Sequence, residues 1–252
     1  LLSLLALLAG CAHRDIDRDS TATAWAHSRQ LVLVTAPGWD DTHGTLRRYA
    51  RRSDGAWQPV GSAVPVSLGR NGSAWGLGLH PAQHDGPQKR EGDGRAPAGV
   101  FTIGTAFGYA DSATTPLPYA AMNIDDYCID VADSPLYNRI VNAGVVGRAA
   151  VEGSTETMRL DLHNHGDPRY RLGFVIEHNP QAVRGAGSCI FAHLRRTPEE
   201  TTAGCTAMGD PELETLMAWL DPSQSPVFVL LPEPALKSLA PAWHLPLTAA
   251  SR

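Results

Sequence analysis

Alternation of hydrophobic and polar positions becomes regular from about residue 30 of the chain. Residues 31–34 form a continuous apolar run that is typical of a buried strand, and residues 45–51 alternate as a second strand. Turn residues separate these runs, and a further short strand pattern follows over residues 64–69. The opening of the domain is therefore predicted to be a β-meander.

Later strands are indicated by further apolar runs, at residues 100–103, 158–162, 172–178, 188–193 and 226–231. Residues 116–151 have weak periodicity and many Asp, Asn and Pro residues, so mostly irregular loops with short helical pieces are expected there. Strands dominate the pattern. The fold class that follows is mainly β, with two packed sheets and a few short helices.

One helix is clearly signalled near the carboxyl end of the pattern. Asp210 is predicted to cap it, Pro211 suits its first turn, and Asp221 with Pro222 ends it. Its apolar residues fall on one face. The Pro-rich tail after Pro232, residues 233–252, is expected only to wrap the surface.

The first eleven residues are a Leu-rich run that is too short to span a bilayer and is predicted to be the apolar part of a secretory signal. Because an initiator Met and a basic flank are lacking, we expect a truncated N-terminus. Residues 8–11 resemble the lipobox of bacterial lipoproteins, which implies that Cys11 is lipidated. An ordinary signal peptide ending beside a cysteine is the alternative.

A polar segment, residues 12–29, is then expected to be a flexible tether to a domain at 30–232. Such a protein would be lipid-anchored to a membrane of the cell envelope and face the periplasm, at the outer membrane if the cell is Gram-negative. The composition is ordinary for a soluble domain, and the net charge of −5 gives no polycationic surface. Nucleic acid is therefore not an expected partner.

Candidate chemistry lies in a small-residue turn, Thr202-Ala203-Gly204-Cys205, that follows His193. Glycine lets the backbone bend tightly, and a histidine can take the thiol proton, since the thiolate is the reactive form. Backbone N–H groups around Gly204, Cys205 and Thr206 are candidates for an oxyanion hole. The alternative is a core histidine and a structural cysteine without chemistry.

The remaining cysteines follow from that assignment. If Cys11 is lipidated and Cys205 stays a free thiol, Cys128 and Cys189 are left as a natural pair in an oxidising compartment. Two buried free thiols are the alternative.

His193, the loop after it and the turn ending in Cys205 resemble the catalytic signature of the L,D-transpeptidase family, the YkuD-like domain: a His followed by Ser/Thr-x-Gly-Cys. Residues 91–101, 170–179 and 185–188 are also similar to family segments, and the resemblance spans roughly residues 64–231. It implies a β-sandwich-like fold of mixed sheets, peptidoglycan stem peptides as substrates and no cofactor. By position, Cys205 is the nucleophile, His193 its base, and Gly204 part of the turn and oxyanion site.

The chain departs from the family pattern at two positions. Ala203 stands where many members have His, and Ala207 where many have an Arg that is thought to hold substrate. Arg195 or Arg196 is a candidate to recognise a carboxylate instead, with Thr202 nearby, although both arginines also fit solvated loop charges.

The resemblance predicts acyl transfer through a thioester, resolved by an amine from a second stem peptide. With water in place of the amine, the enzyme would be an L,D-carboxypeptidase. Two other classes stay open. His163-Asn164-His165, with His178 and His193, would suit a zinc-dependent peptidoglycan hydrolase, although no His-Glu-x-x-His motif is present and we expect no metal. The last class is a wall-binding lipoprotein without activity.

Overall fold

A computed structural model describes residues 24–247 of the chain. The predicted β-meander is confirmed: β1 (Gln30–Ala36), β2 (His43–Arg51) and β3 (Trp57–Ser67) pair antiparallel in chain order. Every residue of β1 is buried, in keeping with its unbroken apolar run, whereas β2 fully buries only Leu46 and Tyr49. The side chains of β1 therefore belong to the core, whereas most of those on β2 stay partly exposed.

The other elements follow in chain order: β4 (Ser73–Trp75), β5 (Ala96–Gly108), β6 (Tyr119–Ala121), β7 (Asp126–Cys128), β8 (Ile140–Asn142), α1 (Ala143–Val146), β9 (Glu156–Thr157), α2 (Leu160–His163), β10 (Leu172–Ile176), β11 (Phe191–Leu194), β12 (Thr206–Met208), α3 (Asp210–Trp219), β13 (Val227–Pro232) and α4 (Glu233–Trp243). The predicted mainly β class is confirmed, with one large mixed sheet, one small sheet and short helices.

The pairings of the large sheet form a closed ring. Its order runs β10-β11-β12-β3-β2-β1-β13-β5, and β10 pairs with β5 as well. The long strand β5 makes this possible, because Gly99–Thr102 pair with β13 and Ile103–Gly108 pair with β10. Within this ring most pairs are antiparallel, but β1 with β13 and β11 with β12 are parallel. The core fills with side chains such as Leu33, Phe101 and Phe228.

The helix predicted near Asp210 is present as α3, and it buries the predicted apolar face through Leu213, Leu216 and Met217. Its cap differs from the prediction. Gly209 holds the capping position, and Asp210 is the first helical residue, where its charge still favours the helix N-terminus.

Three local predictions are corrected by the structure. Residues 158–162, predicted as a strand, lead into the single turn α2, closed by the bond from the Asn164 N–H to the Leu160 carbonyl. The supposedly irregular 116–151 segment contains β6, β7, β8 and α1, and β7 joins β8 and β9 in the small sheet. The strand before His193 begins only at Phe191, since Cys189 has a positive φ of 55° that no strand allows.

Both ends of the described chain pack onto the domain. Trp25 is almost fully buried against Trp243, and its indole N–H donates to the Trp243 carbonyl. Residues 24–29 are therefore docked, which corrects the tether boundary predicted at residue 29. The tail after Pro232 is also more than a surface wrapping, because α4 buries Leu236, Ala240 and Trp243. The predictions for residues 1–11 and 12–23 lie outside the described residues.

Across residues 24–247, no helix has the length and apolar character that a bilayer crossing requires.

Candidate active site

His193 lies in β11, and Cys205 directly precedes β12, the neighbouring strand of the large sheet. The parallel β11–β12 pairing sets His193 opposite Ala207, and Cys205 stands two residues before Ala207. Side chains two residues apart in an extended chain share a face, so the thiol and the imidazole point to the same side. Both line one cleft of about 320 Å³. The strand register therefore brings together the two residues that the sequence singled out.

The Cys205 thiol is buried and held by backbone groups. Its Sγ accepts a hydrogen bond from the Phe191 N–H at 3.3 Å and donates to the Cys189 carbonyl at 3.6 Å. Among the described residues it is the free cysteine. The loop just before β11 thus forms a cradle for the sulfur.

His193 is fixed in one tautomer by its own strand. Its Nδ1 lies 2.7 Å from the Leu194 carbonyl, which can only accept, so Nδ1 carries the proton. Nε2 is left with its lone pair. The Tyr170 ring meets the imidazole edge to face, with 5.2 Å between the ring centroids. The imidazole is therefore oriented as a proton acceptor.

Burial makes both groups neutral at rest. It raises the pKa of Cys205 to about 12, with a further rise from the nearby Glu156 charge and an opposing effect of the Phe191 N–H. Burial also lowers the pKa of His193 to about 4, against the effect of the Leu194 carbonyl. A thiol and a neutral imidazole are therefore the resting forms, rather than a thiolate–imidazolium pair.

The turn before Cys205 is held by Thr202. Its hydroxyl accepts from the Gly204 N–H at 3.1 Å and donates to the Cys205 carbonyl at 2.7 Å. A Cβ at Gly204 would stand 3.0 Å from the carbonyl oxygen of Arg95, so glycine suits this close approach. Because its N–H is engaged inside the turn, Gly204 is not poised as an oxyanion donor. Thr206 is buried in β12 and does not line the cleft.

One side of the cleft is formed by residues 126–163, hereafter the cleft wall, which run from β7 to α2. Cys128 in β7 is bonded to Cys189 by a disulfide between residues 61 positions apart. Asn138 adds a second link, because its side-chain oxygen accepts from the Cys189 N–H at 2.8 Å. These links tie the cleft wall to the loop that cradles the Cys205 sulfur.

The charged lining of the cleft differs from the sequence prediction. Neither Arg195 nor Arg196 lines it: Arg195 reaches the Ser67 hydroxyl, and Arg196 is ion-paired with Glu200. The cations that do line it are Arg70, Lys89 and Arg169. Lys89 pairs with Asp93 and Arg169 with Asp167, whereas the exposed Arg70 guanidinium has no ion-pair partner among residues 24–247.

The other histidines considered from the sequence do not join His193 in the cleft. His178 is buried, with Nδ1 accepting from the Leu77 N–H and Nε2 bonded to the Ala186 carbonyl. His163 stands at the end of α2 against the Ile124 carbonyl. Within the described part of the chain, no three His, Cys, Asp or Glu side chains are grouped as a metal site.

Sequence reasoning missed Glu156 and Tyr170, which also line the cleft. The Tyr170 hydroxyl donates to Glu156 Oε1 at 2.5 Å. Burial raises the pKa of Glu156 to about 7. Their spacing of fourteen positions carries no motif; only the approach of β9 to the large sheet joins them.

A mainly β domain with a buried cysteine and an oriented histidine in one cleft has the layout of a cysteine-dependent acyl-transfer enzyme. The family model of YkuD, the L,D-transpeptidase catalytic domain, matches residues 45–229. The match covers more than half of the chain, and the chain belongs to this family of cysteine-dependent enzymes that act on peptidoglycan. Neither the curated proteins nor the solved structures gave a match.

Proposed function

We propose that this protein is an L,D-transpeptidase that transfers an acyl group from a peptidoglycan stem peptide through a thioester on Cys205. One observation carries the proposal: in the described chain, the free thiol shares a cleft with a histidine whose Nε2 lone pair is available. Nucleophilic catalysis needs such a thiol and base together.

In the first half of the reaction, the thiol attacks the carbonyl that precedes the terminal residue of the donor stem. Because both resting groups are neutral, the proton passes from Sγ to His193 Nε2 as the new C–S bond forms. The protonated His193 then gives this proton to the leaving amine, and the thioester remains. The Gly204 N–H is engaged by Thr202, so we assign the oxyanion contact to the N–H of Cys205 itself.

In the second half, an amine of another stem resolves the thioester and forms a cross-link. Water in its place would release a shortened stem, the L,D-carboxypeptidase alternative. The two outcomes share the first half and differ only in the nucleophile that resolves the acyl-enzyme.

The test is the mass of the intact protein after incubation with a tetrapeptide stem. The wild type should gain the mass of the acyl group, and Cys205→Ala should gain none while keeping its thermal unfolding transition. Cys205→Ser should be nearly as inactive, because a serine hydroxyl is a far weaker acid than a thiol. Normal product formation by Cys205→Ala would overturn the mechanism.

We also propose that Cys11 carries lipid and holds the enzyme at the cell envelope. The support is the lipobox-like sequence at residues 8–11. Cys11→Ser should leave the membrane fraction or remain uncleaved. A variant that still fractionates with membranes after a high-salt wash would contradict the lipid anchor.

A further inference from the structure

Glu156 presents a carboxylate to the cleft that contains Cys205 and His193. Its Oε1 accepts the Tyr170 hydroxyl at 2.5 Å, and Tyr170 in turn packs its ring against His193. No hydrogen bond or ion pair engages Oε2 within residues 24–247. One carboxylate oxygen is therefore held in place, and the other is available to a ligand.

The other carboxylates of the cleft are already engaged. Hydroxyl or guanidinium donors hold each of them: Glu91 by Tyr137 and Ser188, Asp130 by Ser154 and Thr155, and Glu200 by Arg196. Glu156 differs from all three, because its one hydrogen bond leaves a whole carboxylate oxygen without a donor among residues 24–247. A cationic group entering the cleft would find its acceptor here.

We propose that Glu156 binds the protonated amine of the acyl acceptor and removes its proton. This inference rests on the proposed function, and it names the residue that favours an amine over water in the second half of the reaction. The ligand class is a primary ammonium group on a peptide. Water has no charge for Glu156 to recognise.

The step balances with groups that the cleft contains. The ammonium gives one proton to Glu156, and the freed amine attacks the thioester carbonyl. A second N–H proton passes to His193 Nε2 as the tetrahedral intermediate forms. The C–S bond then breaks, His193 returns its proton to the Cys205 sulfur, and an amide remains. Glu156 finally releases its proton to solvent.

The surroundings of Glu156 suit this role. Burial raises the pKa of Glu156 to about 7. Smaller effects oppose one another: the Tyr170 hydrogen bond and Arg169 lower this pKa, whereas the Asp130 and Glu91 charges raise it. Its charge also acts on the Cys205 thiol. A base whose pKa lies near the working pH is in its ionised form often enough to accept a proton and is basic enough to hold it.

The test separates the two halves of the reaction in Glu156→Gln, since an amide oxygen can still accept from Tyr170 but cannot take a proton. The acyl-enzyme is formed first and followed by mass, and glycinamide or hydroxylamine is then added. Acylation should be no slower than in the wild type, because losing the Glu156 charge removes one cause of the raised Cys205 pKa. Aminolysis by glycinamide should fall about 10²–10⁴-fold. Hydroxylamine, which is largely unprotonated at neutral pH, should react within a few-fold of the wild-type rate.

Glu177→Gln is the matched control. Glu177 is a half-buried carboxyl whose pKa burial also raises, but it lies outside this cleft. This variant should keep wild-type aminolysis. Unchanged glycinamide aminolysis in Glu156→Gln, or equal slowing with both amines, would overturn the inference. A wild type that forms no acyl-enzyme would instead refute the proposed function, before any amine is added.

Tyr170→Phe provides a second test that does not depend on the folding of Glu156→Gln. It keeps the ring against His193 but removes the hydrogen bond that lowers the pKa of Glu156. The pH dependence of glycinamide aminolysis should therefore shift to higher pH, while acylation keeps its profile. An unshifted aminolysis profile would overturn the inference.

Discussion

The β11–β12 strand pair and the cleft wall face the same space but contribute to it in different ways. The strand pair supplies His193 from β11 and, through one parallel register, places Cys205 directly before β12. The cleft wall supplies Glu156 and one half of the Cys128–Cys189 disulfide through contacts between distant parts of the chain. The reacting groups are placed by local backbone order, and their environment is placed by tertiary links.

The largest expected effect is on the strand side of this comparison, at His193. His193→Ala should slow acylation of Cys205 by about 10²–10⁴-fold, because the thiol loses the base that takes its proton. Acyl-enzyme formation, followed by mass against time, measures the loss. The exposed His84→Ala serves as a control and should acylate normally. A His193→Ala variant that acylates at more than a tenth of the wild-type rate would contradict the assigned base.

On the wall side, Cys128→Ser with Cys189→Ser should lower the free energy of unfolding by about 4 kcal/mol on the chain-entropy model, with smaller values common in practice. The disulfide closes a loop between residues 61 positions apart, so its loss frees a large part of the unfolded chain. Denaturant titration measures the effect, and the unlinked cleft wall should also slow acylation. Alkylation of Cys128 and Cys189 themselves in unreduced wild type, located by peptide mapping, would show that the bond does not form.

Acid should reveal the buried state of His193. Its pKa is about 4 in the folded protein against about 6.5 when unfolded. As the pH falls through this interval, the unfolded chain takes up a proton that the folded chain refuses, so stability is lost. The stability advantage of wild type over His193→Gln should shrink by on the order of 3 kcal/mol between pH 7 and pH 4. A constant difference, measured by denaturation at each pH, would mean that His193 is not buried in its neutral form.

The smallest expected effect concerns substrate binding by Arg70 at the cleft lining. Arg70→Ala should raise KM for an anionic stem peptide about tenfold, or about 1.4 kcal/mol, and leave kcat nearly unchanged. The reason is that the Arg70 guanidinium lines the cleft without an ion-pair partner in the described part of the chain. Arg195→Ala and Arg196→Ala lie off the cleft and should keep the wild-type KM. If Arg195→Ala or Arg196→Ala raised KM and Arg70→Ala did not, the loop after His193 would be the part that recognises the carboxylate.

Local patterns predicted the strand-borne half of the molecule. The apolar run of β1 and the face of α3 are visible in sequence because burial repeats with the period of the element. The pairing of His193 with a Gly-Cys turn was visible because a short loop joins them. The start of β11 was not, since the positive φ of Cys189 arises where the disulfide and Asn138 hold that residue.

The cleft wall escaped prediction for a related reason. Its strands have only two or three residues, too few to show a period. Glu156 faces Tyr170 across a tertiary contact, and Arg70 reaches the cleft because residues near it pair with the loop that contains Thr202. The Pro-rich composition after residue 232 hid α4, whose Glu233-Pro234 start is compatible with a helix N-terminus.

The parallel pairing of β1 with β13 has a mechanical consequence. These strands stand near the two ends of the described chain and match through six residue pairs, from Leu31 with Val227 to Ala36 with Pro232. A force that pulls the chain ends apart acts along both strands in opposite directions. It therefore loads this ladder in shear, where the hydrogen bonds must yield together, rather than unzipping them one at a time. If one end of the domain were fixed and the other were pulled by a stiff polymer, the β1–β13 ladder would resist unfolding by that force.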